Sequence, residues 1–315
     1  MTRAGLRQPA VTVIAGPTAA GKTGLSLMVA RRVPAEIVSA DSRQIYRRMD
    51  IGTAKPGPDA RRLVPHHCID IADPSEVFNA GIFAETGRAA VSDILSRDRL
   101  PVAVGGSGLY LRALVDGLFG GGFRDHGLRS RLNREAAESG TAALHDRLRT
   151  SDPEAAEKIH PNDLKRIVRA LEVAELSGRP MSRMQREETR AADFKTLWYG
   201  VRWPREDLHR RIDDRVDRMM QAGFLEEVRG LLASGLTAAD PAMDALGYRE
   251  LTAHLQGRLT LEDAIEEIKK RTRQFAKRQM TWFKPDSRIR WFDVNDESDF
   301  EAIAEIIARE AGPSG

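Results

Sequence analysis

The chain has 315 residues, 41% hydrophobic and 30% charged, with a formal net charge of +3. That is enough apolar material for a sizeable core and two domains, and too ordinary a balance for a disordered or fibrous protein. Its single cysteine, Cys68, excludes an intramolecular disulfide and any cysteine-rich zinc site. No run approaches the length of a membrane span, and the opening "MTRAGLRQP" lacks the apolar stretch of a secretory leader. A cytoplasmic protein without a membrane partner is therefore expected, and there is no internal repeat or low-complexity tract. Most of the 49 basic residues are arginine, which suits phosphate recognition by the guanidinium fork but also follows from genomic bias alone.

The first element is "AVTVIA" (10–15), an apolar β-branched run that reads as a buried strand. Directly after it comes "GPTAAGKT", a complete match to G-x-x-x-x-G-K-[ST] over Gly16, Pro17, Thr18, Ala19, Ala20, Gly21, Lys22 and Thr23. "GLSLMVARRV" then has helical spacing, so the loop sits in the strand–loop–helix context that this motif requires. Glycines let the backbone wrap an anion, and the amides at the helix start point at it. Lys22 adds charge for the terminal oxygens, and Thr23 has the hydroxyl that can hold Mg²⁺. Nothing in the loop says whose phosphates it takes.

"EIVSAD" (36–41) reads as a second strand and "HHCIDIAD" (66–73) as a third; Asn79 caps a helix through "AGIFAETGRAAVSDILSR", and "LPVAVGG" (100–106) is the next strand. This is the rhythm of an open parallel sheet with helices on both faces. From about Gly120 to Ala192, opened by "FGGGF", the pattern is helical and charged, after which "KTLWYGVRWP" (195–204) returns to a strand. Long helical segments follow from Arg205 to Phe283, "RIRWFDV" (288–294) closes the strands, and the charged tail after Asp296 carries no expectation. The fold class expected is α/β: a P-loop-containing open parallel sheet, residues 1–119 and 193–315, with a mostly helical insertion at 120–192.

Ligands of such sheets bind beyond the carboxyl ends of the strands. Asp41 ends the second strand, beside Ser42, Arg43 and Gln44, where a P-loop transferase holds an acceptor or a general base; it also reads as a turn-capping aspartate. Gly105, Gly106 and Ser107 end "PVAVGGS", as either a second anion-approach loop or a site of tight helix–strand packing. In "EEIKKRTRQFAKRQMTWFK" (266–284), Leu261, Ile265, Ile268 and Phe275 form a core-like stripe with the residues just upstream. Lys269, Arg273 and Lys277 line another stripe, beside Lys270, Gln274 and Arg278, which suits either a nucleic-acid backbone with Trp282 nearby or a solvated face. Lys165, Arg166 and Arg169 cluster within about a turn as a further phosphate contact. Arg215 and Arg218 could equally be helical partners of Asp213 and Asp214. "DALGYRE" (244–250) reads as a glycine-containing helix boundary or tight contact.

Seven ordered segments, "GPTAAGKT", "SADSRQIYRRMDIGTAKP", "PHHCIDI", "VAVGGSGLYLRAL", "IHPNDLKRIVRALEV", "ALGYRE" and "RQFAKRQMTWF", resemble those of the tRNA dimethylallyltransferase (tRNA isopentenyltransferase) family. With a single cysteine and no zinc-finger extension, the resemblance is to the bacterial type. It implies that the phosphate loop holds dimethylallyl diphosphate, with Mg²⁺ at Thr23. It also implies transfer of the prenyl group to N6 of the adenosine immediately 3′ of the anticodon. Asp41 falls on the family's general base, Ser107 on a hydroxyl near the reacting region, and Arg215 on an arginine near the diphosphate. The tRNA anticodon stem-loop would meet Asp41, Ser42, Arg43, Gln44, Ser107, Arg129, Lys165, Arg166, Arg169, Asp244, Gly247, Tyr248, Arg249, Lys277, Arg278, Gln279, Trp282 and Lys284. A monomer is expected. Three other readings stay open on the residues themselves: a small-metabolite P-loop kinase, a prenyltransferase acting on free adenine nucleotides, and an RNA-binding nucleotide switch without transfer chemistry.

Overall fold

The computed structural model describes residues 10–119 and 122–312. The opening at 1–9, Gly120 and Gly121 of the "FGGGF" run, and the last three residues of the tail lie outside the described residues. Among the described residues, six strands form one parallel sheet in the order β3-β2-β4-β1-β5-β6. They are β1 (Ala10–Ala15), β2 (Ala35–Ser39), β3 (His66–His67), β4 (Leu100–Gly105), β5 (Lys195–Arg202) and β6 (Ile289–Asp293). β1 and β4 lie side by side, with Thr12 opposite Val102 and Ala15 opposite Gly105. The chain leaves β1 towards β2 and leaves β4 towards β5, in opposite directions, which opens a crevice at their carboxyl ends.

Side-chain alternation builds the layers. Ile14, Ile37, Val102 and Val201 face one way and bury Leu25 and Val29 of α1 (Lys22–Ala30). Val13, Val38 and Ala103 alternate with them, and α3 (Ala80–Ser96), which buries Phe83, Val91 and Ile94, contacts β2 and β4. Asn79 caps α3 as its sequence anticipates, accepting from the Gly81 and Ile82 amides. The stretch after β3 departs from expectation: only His66–His67 pair with β2. Cys68 and Asp70 adopt left-handed φ values of 62° and 58°, which no strand can contain. The turn aims the Asp70 carboxylate at Lys55 and at Arg61 of α2 (Pro58–Leu63), 2.6 and 2.7 Å away.

A second core packs the segment after β2 against the later helices α10 (Arg205–Gln221), α11 (Phe224–Ala233), α12 (Tyr248–Leu255) and α13 (Leu261–Phe283). Ile45, Tyr46 and Met49 meet Val216, Phe224, Tyr248 and Ile268 there. One carboxylate, Glu227, accepts from the amides of Asp50, Ile51 and Gly52 and from the Tyr248 hydroxyl, fastening the loop to α11 and α12. The tail that carries no expectation is in fact helix α14 (Asp299–Ala311). Its Phe300, Ile303, Ala304 and Ile307 sit on the sheet beside α1 at a helical spacing legible in hindsight.

The chain divides into two compact units, one comprising the chain up to Val115 and from Ala192 onward, the other Asp116–Ala191. The second holds α5 (His126–Ser139), α6 (Thr141–Ser151), α7 (Pro153–Lys158), α8 (Leu164–Ser177) and α9 (Met181–Glu188) around Leu132, Leu144, Leu148, Ile167 and Leu171. Within it the fully buried Glu172 accepts from Arg129 Nε and Nη2 at 2.8 Å, from the Asp125 amide and from Arg169. Burial pushes this carboxyl up, but those donors more than offset it and hold it below its usual range. Among the described residues no helix is long and apolar enough to cross a membrane. Phe300 is 5% exposed, so Phe300→Ala should lower the unfolding free energy by about 3–5 kcal/mol in a denaturant titration; a loss below about 1 kcal/mol would mean that α14 contributes little to the core.

Candidate active site at the carboxyl edge of the sheet

Two adjoining cavities open beyond the ends of β1, β2 and β4. The smaller, about 90 Å³, is lined by Lys22, Thr23, Ser39, Asp41, His66 and Arg215 among others. The larger, about 320 Å³, is lined by Asp41, Ser42, Arg43, Ser107, Tyr248 and Arg278 among others. Thr18, Asp41, Arg215, Phe275 and Gln279 border both.

Close backbone approach explains the phosphate loop. Gly16 has φ 144°, and a Cβ there would come within 2.7 Å of the Val201 carbonyl; Gly21, at φ 89°, precedes α1. Lys22 reaches back along the loop, its Nζ donating to the Pro17 carbonyl at 2.6 Å. Burial, then the nearby Arg215 charge, bring its ammonium down to about 7, with Asp41 pulling the other way. Burial likewise holds Arg215 below its usual range despite Asp41. Arg215 is not a helical partner of Asp213 or Asp214: Asp213 pairs with Arg273 of α13 instead, 2.5 Å away, and Arg215 forms no ion pair among the described residues. Two cations thus share a pocket with one carboxylate, an arrangement completed by an anion.

Asp41 caps its own turn and also faces the site. Oδ1 accepts from the Arg43 amide at 2.8 Å and the Gln44 amide at 3.4 Å, capping the turn, and the carboxylate lines both cavities. Ser107 joins the two strand ends, its Oγ accepting from the Ser42 amide at 3.2 Å and lying 3.3 Å from the Ser42 hydroxyl. Gln44 is buried, its amide nitrogen donating to the carbonyls of Thr53 and Ala54.

Other expected RNA-facing residues divide into two groups. Lys277, Arg278 and Lys284 are exposed on or just after α13, Trp282 is half-buried, and Lys165 and Arg166 are exposed on α8. By contrast Gly247 and Tyr248 are buried, since a Cβ on Gly247 (φ 92°) would come within 2.7 Å of the Phe224 ring and the Tyr248 hydroxyl serves Glu227. "DALGYRE" is accordingly a helix boundary, with Glu250 accepting from the Gly247 amide and Arg249 pairing with Asp244 and Glu250. Arg129 and Arg169 are committed to Glu172, and Gln279 is buried with its amide engaged internally. These five, with Gln44, differ from the outward-facing contacts expected of them: Gly247 and Tyr248 are covered by packing, and a fork or amide satisfied inside the protein has little capacity left for phosphate. Lys269 and Arg273 also bond α10, through Asp217 and Asp213, which shortens the free basic stripe.

Two lining residues escape sequence reasoning. Phe275 belongs by spacing to an apolar core stripe, yet it is 39% exposed and borders both cavities, with the Arg278 guanidinium over its ring. His66, within "PHHCIDI", bonds the Val64 carbonyl through Nδ1, and its buried Nε2 has no partner among the described residues. Among the described residues no cluster of three or more His, Cys, Asp or Glu side chains could hold a metal.

A glycine-lined anion loop at a parallel sheet's switch point, facing a carboxylate, defines a P-loop α/β protein of the transferase kind. The family profile described as IPP transferase matches residues 44–286, and one described as isopentenyl transferase matches residues 9–63. The chain belongs to the IPP transferase family. It is 49% identical over 291 residues to the tRNA dimethylallyltransferase of Geobacter metallireducens, covering 92% of this chain and 94% of the relative. It is also 48% identical over 287 residues to that of Syntrophobacter fumaroxidans, covering 91% and 84%. A crystal structure of the full-length tRNA isopentenylpyrophosphate transferase from Bacillus halodurans superposes with a TM-score of 0.71 at 38% identity, over 97% of both chains. A eukaryotic dimethylallyltransferase acting on tRNA gives 0.79 at 31%, over 96% of this chain and 78% of that one.

Competitive acylation of the lysines, read by mass spectrometry across pH, should give Lys22 a midpoint near 7 rather than the ordinary 10.5, moving upward when inorganic diphosphate is added. A midpoint in the ordinary range without anion would refute the electrostatic account of the pocket.

Proposed function

We propose that the protein transfers the dimethylallyl group of dimethylallyl diphosphate to N6 of the adenosine 3′-adjacent to the anticodon of tRNA, acting as a cytoplasmic monomer. The observation that carries this reading is the shared wall. Asp41 and Arg215 stand between a small cationic cavity at the phosphate loop and a larger one able to take a base.

In this reading Lys22, Arg215 and the amides at the start of α1 hold the diphosphate and take up charge as the allylic C–O bond breaks. Thr23 is exposed at the rim of the small cavity. One hydroxyl and no carboxylate cluster fit a magnesium ion that arrives with the phosphates better than a resident one. When bound, it would neutralise charge on the leaving group. The exocyclic amine of adenine is a poor nucleophile because its lone pair is delocalised into the ring. As the N–C bond forms, the Asp41 carboxylate accepts the amine proton, a contribution on the order of 10²–10⁴-fold. Ser107 holds the Asp41 turn through Ser42. The base must leave its stack, which costs a few kcal/mol and is easiest from a loop. The exposed Lys277, Arg278 and Lys284, and in the other unit Lys165 and Arg166, supply phosphate contacts for the stem.

Radiolabelled donor offered with unmodified tRNA, AMP or ATP tests the reading, since label entering only the free nucleotides would overturn it. Asp41→Asn keeps the Oδ1 that caps the turn and removes the base, so transfer should fall by about 10²–10⁴-fold while tRNA affinity stays within a few-fold; near-normal turnover would remove Asp41 from that role. Replacing Lys277 and Arg278 with alanine should weaken every tRNA alike and reduce the slope of log K against log salt by about 1–2. An unchanged slope would leave that face merely solvated.

A further inference from the structure

Gln279 points from α13 into the floor of the site, and both ends of its carboxamide are engaged across the fold. Oε1 accepts from the Thr18 amide at 2.8 Å, and Nε2 donates to the Gly106 carbonyl at 2.9 Å. Only one orientation of the amide serves both, because a flip would set donor against donor and acceptor against acceptor in a buried place. The first bond takes the Thr18 N–H out of the phosphate loop's inward donors, and Pro17 has none to offer. The Ala20 amide turns back to the Pro17 carbonyl at 3.4 Å, so the anion cradle is left to the Ala19 amide and those from Gly21 into the first turn of α1, which lack intrahelical acceptors. The second bond fixes the turn between β4 and α4 (Gly108–Val115). The fit leaves no slack. A Cβ on Gly106 would overlap the Gln279 amide nitrogen, and one on Gly108 would overlap the Trp282 ring about a turn further along α13.

We propose that Gln279 is a positioning residue for the transfer: it clamps the phosphate loop to the β4–α4 loop, so that the diphosphate cradle and Ser107 keep a fixed spacing. The role rests on the phosphate loop's being the diphosphate site. Gln279 acts through Thr18 and Gly106, and a displacement of about 1 Å in such a cradle is enough to cost on the order of 10²-fold in rate.

Gln279→Met keeps the length and removes both hydrogen bonds; Gly106→Ala displaces the carboxamide while leaving Gln279 in place. Calorimetry with inorganic diphosphate, anisotropy with a labelled anticodon stem-loop, and steady-state kinetics are run on each. Both variants should raise the diphosphate Kd and the donor KM by about tenfold or more, with the stem-loop Kd within about twofold. If Gln279→Met does not fold, Gly106→Ala carries the test alone. Unchanged diphosphate affinity in a folded variant overturns the clamp, as does weaker stem-loop binding with diphosphate unaffected, which would make Gln279 an RNA contact. Lys22→Met separates the two levels. If it loses diphosphate while Gln279→Met retains it, the clamp alone falls; if Lys22→Met binds diphosphate normally, the phosphate-loop reading falls and the clamp with it.

Discussion

Lys22 and Arg215 are held in one pocket where water cannot fully screen them, with a single carboxylate, Asp41, partly between them in charge. Burial strips hydration from the Lys22 ammonium and the like charge of Arg215 adds to the cost, and together they bring that ammonium down to about 7. Such an arrangement persists in a folded protein because the surrounding structure over-determines it. α1 carries Lys22 from one side and α10 carries Arg215 from the other, each anchored by its own apolar core. An incoming polyanion relieves the repulsion, so the geometry favours binding before any chemistry occurs.

The same two cores decide where Asp41 stands. Its turn follows β2, yet the segment beyond is held by Glu227, which satisfies three successive amides and the Tyr248 hydroxyl. A carboxylate accepting that many donors is a strong local anchor. The base candidate is therefore mounted between the sheet and the later helices, and α13 is shared by both sides. It buries Ile268 in the second core, ties itself to α10 through Lys269 and Arg273, and leaves Lys277 and Arg278 exposed. Phosphate-loop geometry and a surface suited to nucleic acid thus belong to neighbouring turns of one helix.

Structural and functional demands on charge are separable in this molecule. The Arg129–Glu172–Arg169 triad is a buried ionic device that organises its own helical unit, and breaking one partner would leave an uncompensated charge. Lys165 and Arg166, on the same helix as Arg169, face outward. A basic cluster in sequence therefore resolves into one residue that builds the fold and two that face outward, Arg166 with an ion pair to Asp163 at 3.4 Å.

Local signals in the sequence were enough for the phosphate loop, the strand–helix alternation, the Asn79 cap and the helical stretch within the α/β core. Each depends on residues close together in the chain: glycines where the backbone must turn, apolar spacing of two or about three and a half, a carboxamide at a helix start. The ordered motifs also pointed to the family, since their spacing carries the topology. What no local pattern could decide is which side of a helix meets a neighbour. Phe275 has core spacing but ends at the cavity; Gln279 lies among basic residues but turns inward to Thr18 and Gly106; Arg129 and Arg169 look free until Glu172 is brought between them. The strand expected at 66–73 stops after two residues because Lys55 and Arg61, from an earlier loop and helix, hold Asp70 in a turn. Burial and pairing are properties of contacts between distant segments, so they exist only once the chain has closed on itself.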